Sequence, residues 1–495
     1  MAGPYYCDLA GTYADVTALT GAKGSGPGGL QAIIRGTGNA TALAAGEICY
    51  VKGTGNLTRL VKLTCGKDVS GWSLGDTVVD NAGGATWGGL VCELSVGANT
   101  AVILVELDIG DDEDLIVLAN GINNTTATDT TTLSAKSCDG IQIDTNIGDL
   151  VDGNIKLIGV NAAWADDGTE SLLDADGDAT YCIHLLPGRV YYTLKNLGMI
   201  NATSHGLNAT SGTGYHNYII IQHCRIEDNG SYGYYGNDTQ IVLVRDCVFR
   251  GNGDNAIHGK PSGIIVRDCV IANNTGWGVW DWSGKGFVGN LVYGNGSGGL
   301  QSDAVELNIA NNVFDGNDGD GIEIDVGQKA QGIFNNRITN NAGFGINMET
   351  AVADSCVEDY NVIFNNTLGA RDNIVAGDNS DDAPADDGYT KRTILITYDA
   401  GTNMNNASVG DTVTDGTWSG KVRTEPTGAA TGTFEADTFS AGNPANDDTM
   451  TLGGVETGTV NGTPTIVETG ANATDYNIKS GAEIRNTAYV LNWDQ

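Results

Sequence analysis

Between Asn201 and Asn366 an asparagine recurs at intervals of 21 to 28 residues, each followed by a Gly-rich turn and a short apolar run. The rungs are Asn201, Asn229, Asn252, Asn274, Asn295, Asn317, Asn341 and Asn366. Five residues before each stands a second ladder, made of Asn196, Cys224, Cys247, Cys269, Asn290, Asn312, Asn336 and Asn361. Two registers held in step specify a solenoid. A unit of about 22 residues is too small to bury its own apolar face, so neighbouring units must stack. The runs are Val/Ile-rich without helical periodicity, which predicts a parallel β-helix. Equivalent residues then lie about 4.8 Å apart, close enough for amides to bond from coil to coil.

The composition agrees with an elongated array of turns: 72 Gly and only 8 Pro in 495 residues. Twenty-five Lys and Arg face 61 Asp and Glu, a net charge of −36 that repels nucleic-acid phosphates and anionic lipid. Neither nucleic acid nor membrane is an expected partner. The start, MAGPYYCDLAGTYADV, has no basic segment followed by an apolar one, and no stretch approaches 18 apolar residues, so neither a signal peptide nor a membrane span is expected. Ten cysteines form no CxxC pair, and Cys224, Cys247 and Cys269 share one ladder position. They read as stacked, inert core residues rather than a disulfide framework. Sequons at Asn39, Asn201 and Asn273 are what an Asn- and Thr-rich chain produces by chance.

Five regions are expected. Residues 1–56 form a cap and first strand, 57–115 a β-module, 116–389 the parallel β-helix, 390–470 a second module and 471–495 a closing segment. The modules are inferred from a repeat: Gly75-Asp76-Thr77-Val78-Val79-Asp80 then Thr86-Trp87-Gly88-Gly89 matches Gly410-Asp411-Thr412-Val413-Thr414-Asp415 then Thr417-Trp418-Ser419-Gly420. Their Thr, Val and Trp content with Gly/Asp turns predicts antiparallel hairpins. Strands from about Leu115 to Leu194 are expected to be less regular early coils.

The Asn ladders, the stretch Gly28–Gly55 (a short helix, then ICYVKG) and the segment Asp475–Ile484 together resemble the pectate-lyase-like right-handed β-helix superfamily. That resemblance implies an all-β solenoid whose open end is covered by the helix. The superfamily's polygalacturonase pattern (Asn-Thr-Asp, Asp-Asp, Gly-His-Gly, Arg-Ile-Lys) has no match here, which argues against a pectinase.

Aligned on the ladder, each coil reads Asn-x-x-x-Gly followed by an apolar residue: Tyr234, Ile257, Val279, Leu300, Ile322 or Ile346. Strand alternation then sends the next residue, and the one two further on, to solvent. The pairs are Tyr235/Asn237, His258/Lys260, Trp280/Trp282, Gln301/Asp303, Glu323/Asp325 and Asn347/Glu349. Trp280 and Trp282 offer rings on which the C–H faces of a sugar can stack. Asp303, Glu323 and Asp325 are the candidate catalytic carboxylates, at backbone separations of about 5 to 6.6 Å that bracket retaining and inverting glycosidases. Tyr235, His258, Lys260, Gln301 and Glu349 complete the expected substrate surface, with His258 and Lys260 its cationic or acid–base groups.

No zinc spacing or phosphate-cradling Gly loop occurs. Two Asp-rich stretches, Asp174–Asp178 and Asp315–Asp325, suggest Ca²⁺, but the first has Ala179 and Leu185 where an EF-hand needs Gly and Glu, and it reads as a surface turn. No cofactor is expected.

Three functions fit. The first is a virion surface protein of tailspike, head-fibre or capsid-decoration type, assembled in the host cytoplasm and binding host-surface polysaccharide and other virion proteins. Its support is the absent signal peptide and modules that resemble those of phage virion proteins; the resemblance implies a homo-oligomer, often a trimer. The second is a polysaccharide lyase or glycoside hydrolase working on the same face. The third is an extracellular adhesion solenoid.

Overall fold

The computed structural model describes residues 4–11, 23–35 and 43–57, the strands alone between 60 and 118, and, with short gaps, 133–382 and 393–468. The expected closing segment, 471–495, lies outside the described residues.

The core of the molecule is a right-handed parallel β-helix, with almost no α-helix among the described residues. Each coil contributes one strand to each of three parallel sheets. The first has twelve strands, from Lys23–Ser25 to Cys356–Asp359; the second has ten, from Thr54–Asn56 to Val362–Phe364; the third also has ten, from Ile141–Ile143 to Gly369–Asp372. Inward side chains form one continuous apolar column, with Ile221, Val244, Val266, Phe287, Ile309 and Ile333 stacked on the first sheet and all buried.

Two sharp corners per coil explain the two ladders. From Cys224 on, the residue before each member of the earlier ladder has positive φ: His223 (50°), Asp246 (54°), Asp268 (55°), Gly289 (72°), Asn311 (59°), Asn335 (55°) and Tyr360 (59°). The same holds before the later ladder from Asn229 on, at Asp228 (55°), Gly251 (65°), Asn273 (55°), Gly294 (62°), Gly316 (60°), Asn340 (59°) and Asn365 (59°). Asn, Asp and Gly tolerate this left-handed conformation at low cost, which is why they dominate the corners.

The ladder asparagines themselves point inward. Asn229 Nδ2 donates to Asn252 Oδ1 at 2.9 Å, and the chain continues through Asn274, Asn295, Asn317 and Asn341 to Asn366 at 2.8–2.9 Å. Each Oδ1 also accepts the backbone N–H of the preceding rung, and each Nδ2 also reaches a backbone carbonyl, such as Ile271 O from Asn295 at 3.2 Å. From Asn229 to Asn341 the amides are buried and satisfied on both sides. Asn290, Asn312, Asn336 and Asn361 repeat the pattern at 2.9–3.1 Å. Where this ladder carries cysteines, Cys247 Sγ accepts from Cys224 N at 3.4 Å. The thiols of Cys224, Cys247 and Cys269 are free and buried, and burial holds those of Cys224 and Cys247 far above the ordinary thiol range.

The first rung of each ladder departs from the expected register. Ala202, not Asn201, meets Asn229 Oδ1 through its backbone N–H at 3.0 Å. Asn201 (φ 60°) and Asn196 (φ 54°) stand instead at the corners, and Ala202 and Leu197 take the ladder positions.

Both ends of the stack are closed by side chains. The helix Gly26–Arg35 covers the first coil with Leu30, Ile33 and Ile34, and its buried Gln31 exchanges two hydrogen bonds (2.7 and 2.8 Å) with the backbone of Gln142, completing the exposed edge of the third sheet. At the far end Ser380 Oγ accepts from Asn361 N at 3.0 Å, in the place of a further ladder amide.

The two antiparallel sheets share one pairing plan. In the first, Leu60–Cys65 pairs Thr100–Glu106, which pairs Gly88–Gly97, then Thr77–Asp80, then Leu115–Leu118. In the second, Thr393–Thr402 pairs Gly432–Ser440, then Ser419–Val422, Thr412–Thr414 and Thr449–Leu452. Even the register agrees, since Val78 faces Gly89 and Val413 faces Gly420. Leu115–Leu118, read from sequence as an early coil, therefore belongs to the first antiparallel sheet, as does Leu133–Ser137.

Candidate functional site

Register along the third sheet places the expected outward residues in one row. Gln142 faces His184, His184 faces Asn208, and the row continues through Tyr235, His258 and Trp280. Gln301, Glu323, Asn347 and Asp372 carry it across the following coils. Tyr235, His258 and Trp280 are thus brought together, and Gln301 and Glu323 follow on adjoining strands.

The rings do not lie flat. Centroids are 4.7 Å apart for Tyr235–His258 and 4.7 Å for His258–Trp280, with tilts of 32° and 40°. Flat neighbours cannot approach that closely, so the rings stand on edge in offset stacks. His258 is accordingly buried, sandwiched between tyrosines and Trp280, rather than exposed as expected. Trp280 ends the ladder with 36% of its surface exposed.

A second row, missed in the sequence, widens the ridge. Tyr232 stacks on Tyr235 at 4.9 Å and 10°, touches His258 at 4.9 Å and meets His205 at 5.0 Å. His205 in turn packs on Tyr181 and Tyr235. Trp277 belongs to this row, and its indole lies across Gly298 of the next coil, where any Cβ would stand 2.2 Å from Cζ3. Tyr232 and Trp277 precede the turn glycine, so reading the ladder three residues after the Asn (Tyr232, Asn255, Trp277, Gly298, Asp320 and Phe344 from Asn229 to Asn341) would have found them.

Burial lowers the pKa of His205 to about 4, with further contributions from His258 and His184. An imidazole titration followed by NMR is expected to place its midpoint there. The unfolded chain binds this proton near pH 6.5, so between about 6.5 and 4 the unfolded state holds more protons, and this group's contribution to stability falls as the pH drops through that window. Tyr232 is pushed up to about 12 by burial and then by Asp254.

The expected column two residues further on is broken by a bulge. Asp281 adopts φ 55°, and Trp282 consequently pairs with Ser302 instead of aligning with Asp303. Gln301 is buried because it holds this bulge: its Oε1 accepts from Asp281 N at 2.8 Å and its Nε2 donates to Asp325 Oδ2 at 3.1 Å. Glu323 is half-buried on the strand Ile322–Ile324, while Asp303 and Asp325 directly follow their strands. Lys260, Glu349 and the side chain of Trp282 lie outside the described residues.

The Asp-rich stretches serve as turn acceptors. Asp174 Oδ1 takes Asp176 N and Asn201 Nδ2, both at 2.9 Å, and Asp315 Oδ1 takes Thr339 Oγ1 and Asn340 Nδ2 at 2.5 and 2.6 Å. Among the described residues no three His, Cys, Asp or Glu side chains converge as metal ligands.

Residues 205–368 match the family model described as right handed beta helix region. The coils have the right-handed parallel β-helix fold that this model describes. Among solved structures, the β-helix is similar to the A-module of mannuronan C-5 epimerase AlgE4 from Azotobacter vinelandii, at 16% identity and a TM-score of 0.34, over 48% of this chain and 65% of that one. It is also similar to the tailspike protein gp49 of Acinetobacter baumannii bacteriophage Fri1, a capsular polysaccharide depolymerase, at 11% identity and a TM-score of 0.20, over 64% and 78% of the two chains. No curated protein matches.

Proposed function

We propose that the third sheet is a glycan-binding face and that the protein is a virion surface recognition protein of the tailspike, head-fibre or capsid-decoration type. The observation that carries the glycan reading is the unbroken ring ridge ending at Trp280, since a solvent-facing indole beside buried rings is costly to leave uncovered. Trp280 is the stacking platform for a sugar, and Gln301, Glu323 and Asp325 supply hydrogen bonds to its hydroxyls. The virion assignment is supported by the duplicated module, which resembles those of phage virion proteins and here keeps its strand pairing in both copies. In this reading the partners are a host-surface polysaccharide and other virion proteins, in a homo-oligomer. Titrating surface glycans against Trp280→Ala tests it. A loss of about tenfold or more in affinity is expected, and unchanged affinity removes the platform.

A catalytic reading, as lyase or glycoside hydrolase, is supported by Glu323 and Asp325 beside Gln301 at the end of the ridge. New reducing ends, or the ultraviolet absorbance of unsaturated sugar ends, must then disappear in Glu323→Gln, Asp325→Asn or Asp303→Asn. Activity that survives all three rejects these carboxylates.

A further inference from the structure

Resting on the glycan reading, we infer that this face takes an uncharged glycan and rejects polyuronates and other polyanionic chains. Among the described residues, Arg371 is the only Lys or Arg within the ten strands of the third sheet; Lys260, two residues after Ile257–His258, lies outside the described residues. Its side chain is 7% exposed and held by Glu358 at 2.5 Å and by Asp382, so it is not offered to a ligand. Acidic groups, in contrast, flank the ridge along its length. Asp254 stands near enough to the Tyr232 hydroxyl to help raise its pKa, Asp281 stands in the bulge after Trp280, Asp325 bonds Gln301, and Glu323 occupies the row itself. His205 adds no compensating charge above about pH 4.

A polyanion laid along this row would bring a carboxylate on successive sugars to within one or two strand spacings of Glu323 and Asp325, at about 5–10 Å. No described cation on the face neutralises that repulsion. An uncharged chain meets none of it. Its hydroxyls can donate to Glu323 and Asp325, and charge-assisted hydrogen bonds of this kind are the stronger ones. The rejection is electrostatic, so it weakens as salt shortens the screening length, whereas stacking on Trp280 does not.

The test uses the full chain, with uncharged glucan and galactan oligosaccharides and polyuronate oligosaccharides of equal length, titrated at low and high salt by calorimetry. Expected are binding of an uncharged oligosaccharide with little salt dependence and polyuronate affinity at least about tenfold weaker at low salt, a gap that narrows at high salt. Glu323→Gln combined with Asp325→Asn should narrow it further. A polyuronate that binds as tightly as the best uncharged chain, and loses that affinity in Trp280→Ala, overturns the inference while leaving the glycan reading intact. Silence of both sets overturns the glycan reading itself, and the charge inference with it.

Discussion

Replacing Asn295 by Ala is expected to destabilise the β-helix by about 3–4 kcal/mol, whereas Asn201→Ala costs about 1 kcal/mol. The two residues belong to one ladder by sequence, and only the structure separates them. Asn295 Oδ1 accepts from both the backbone N–H and the Nδ2 of Asn274, while its own Nδ2 donates to Asn317 Oδ1 and Ile271 O. Truncation leaves two buried donors and two buried acceptors without their partner, in an interior too tightly stacked to admit a row of waters. Asn201 makes one side-chain bond to Asp174 at a half-exposed corner, and Ala at φ 60° adds only the modest strain of a left-handed residue. Chemical denaturation measures the difference, and amide exchange localises it, because protection of the Asn274 N–H depends on Asn295. Equal effects from the two substitutions would show that the amides are not a coupled ladder.

The contrast marks where the sequence could be read and where it could not. Repetition is global information: a period near 22 admits few folds, and the same count located the outward row of Tyr235, His258, Trp280, Gln301 and Glu323. The first rung misled because Asn serves two purposes in each coil, a buried amide and a left-handed corner one residue earlier, and in the first coil it fills the corners while Leu197 and Ala202 stand at the ladder positions. Alternation counted forward from the apolar residue also hid Tyr232 and Trp277, since the turn glycine bends the chain and sends the residue before it outward as well. The bulge at Asp281 has no sequence mark. It is set by Gln301 on the next coil, a contact between residues 20 apart. Leu115–Leu118 illustrates the same limit: a short Leu/Ile/Val strand looks alike in either sheet, and only its partner, Thr77–Asp80, decides.

Glu358→Ala is expected to cost about 3–5 kcal/mol, comparable to breaking other buried ion pairs, but its effect should be confined to the end of the stack. The carboxylate is fully buried and accepts from Arg371 Nε (2.5 Å), Asn361 Nδ2 (2.7 Å), Ser380 Oγ (2.5 Å) and Gly377 N (3.0 Å). It therefore ties the last ladder amide to the segment that folds over the final coil. Without it, Arg371 keeps Asp382 alone, half-exposed, and Asn361 and Gly377 lose an acceptor. A solenoid is stabilised by nearest-neighbour contacts, so a lost cap frays inward one coil at a time. Exchange should rise first at Val362–Phe364 and Arg337–Thr339, while the coils around Asn274 stay protected. Replacing both Glu358 and Arg371 by Leu removes the stranded charge and should recover much of the loss, because an apolar pair of similar volume often matches a buried ion pair. If Glu358→Ala leaves terminal exchange unchanged, or opens all coils together, Glu358 is not the lock on this end.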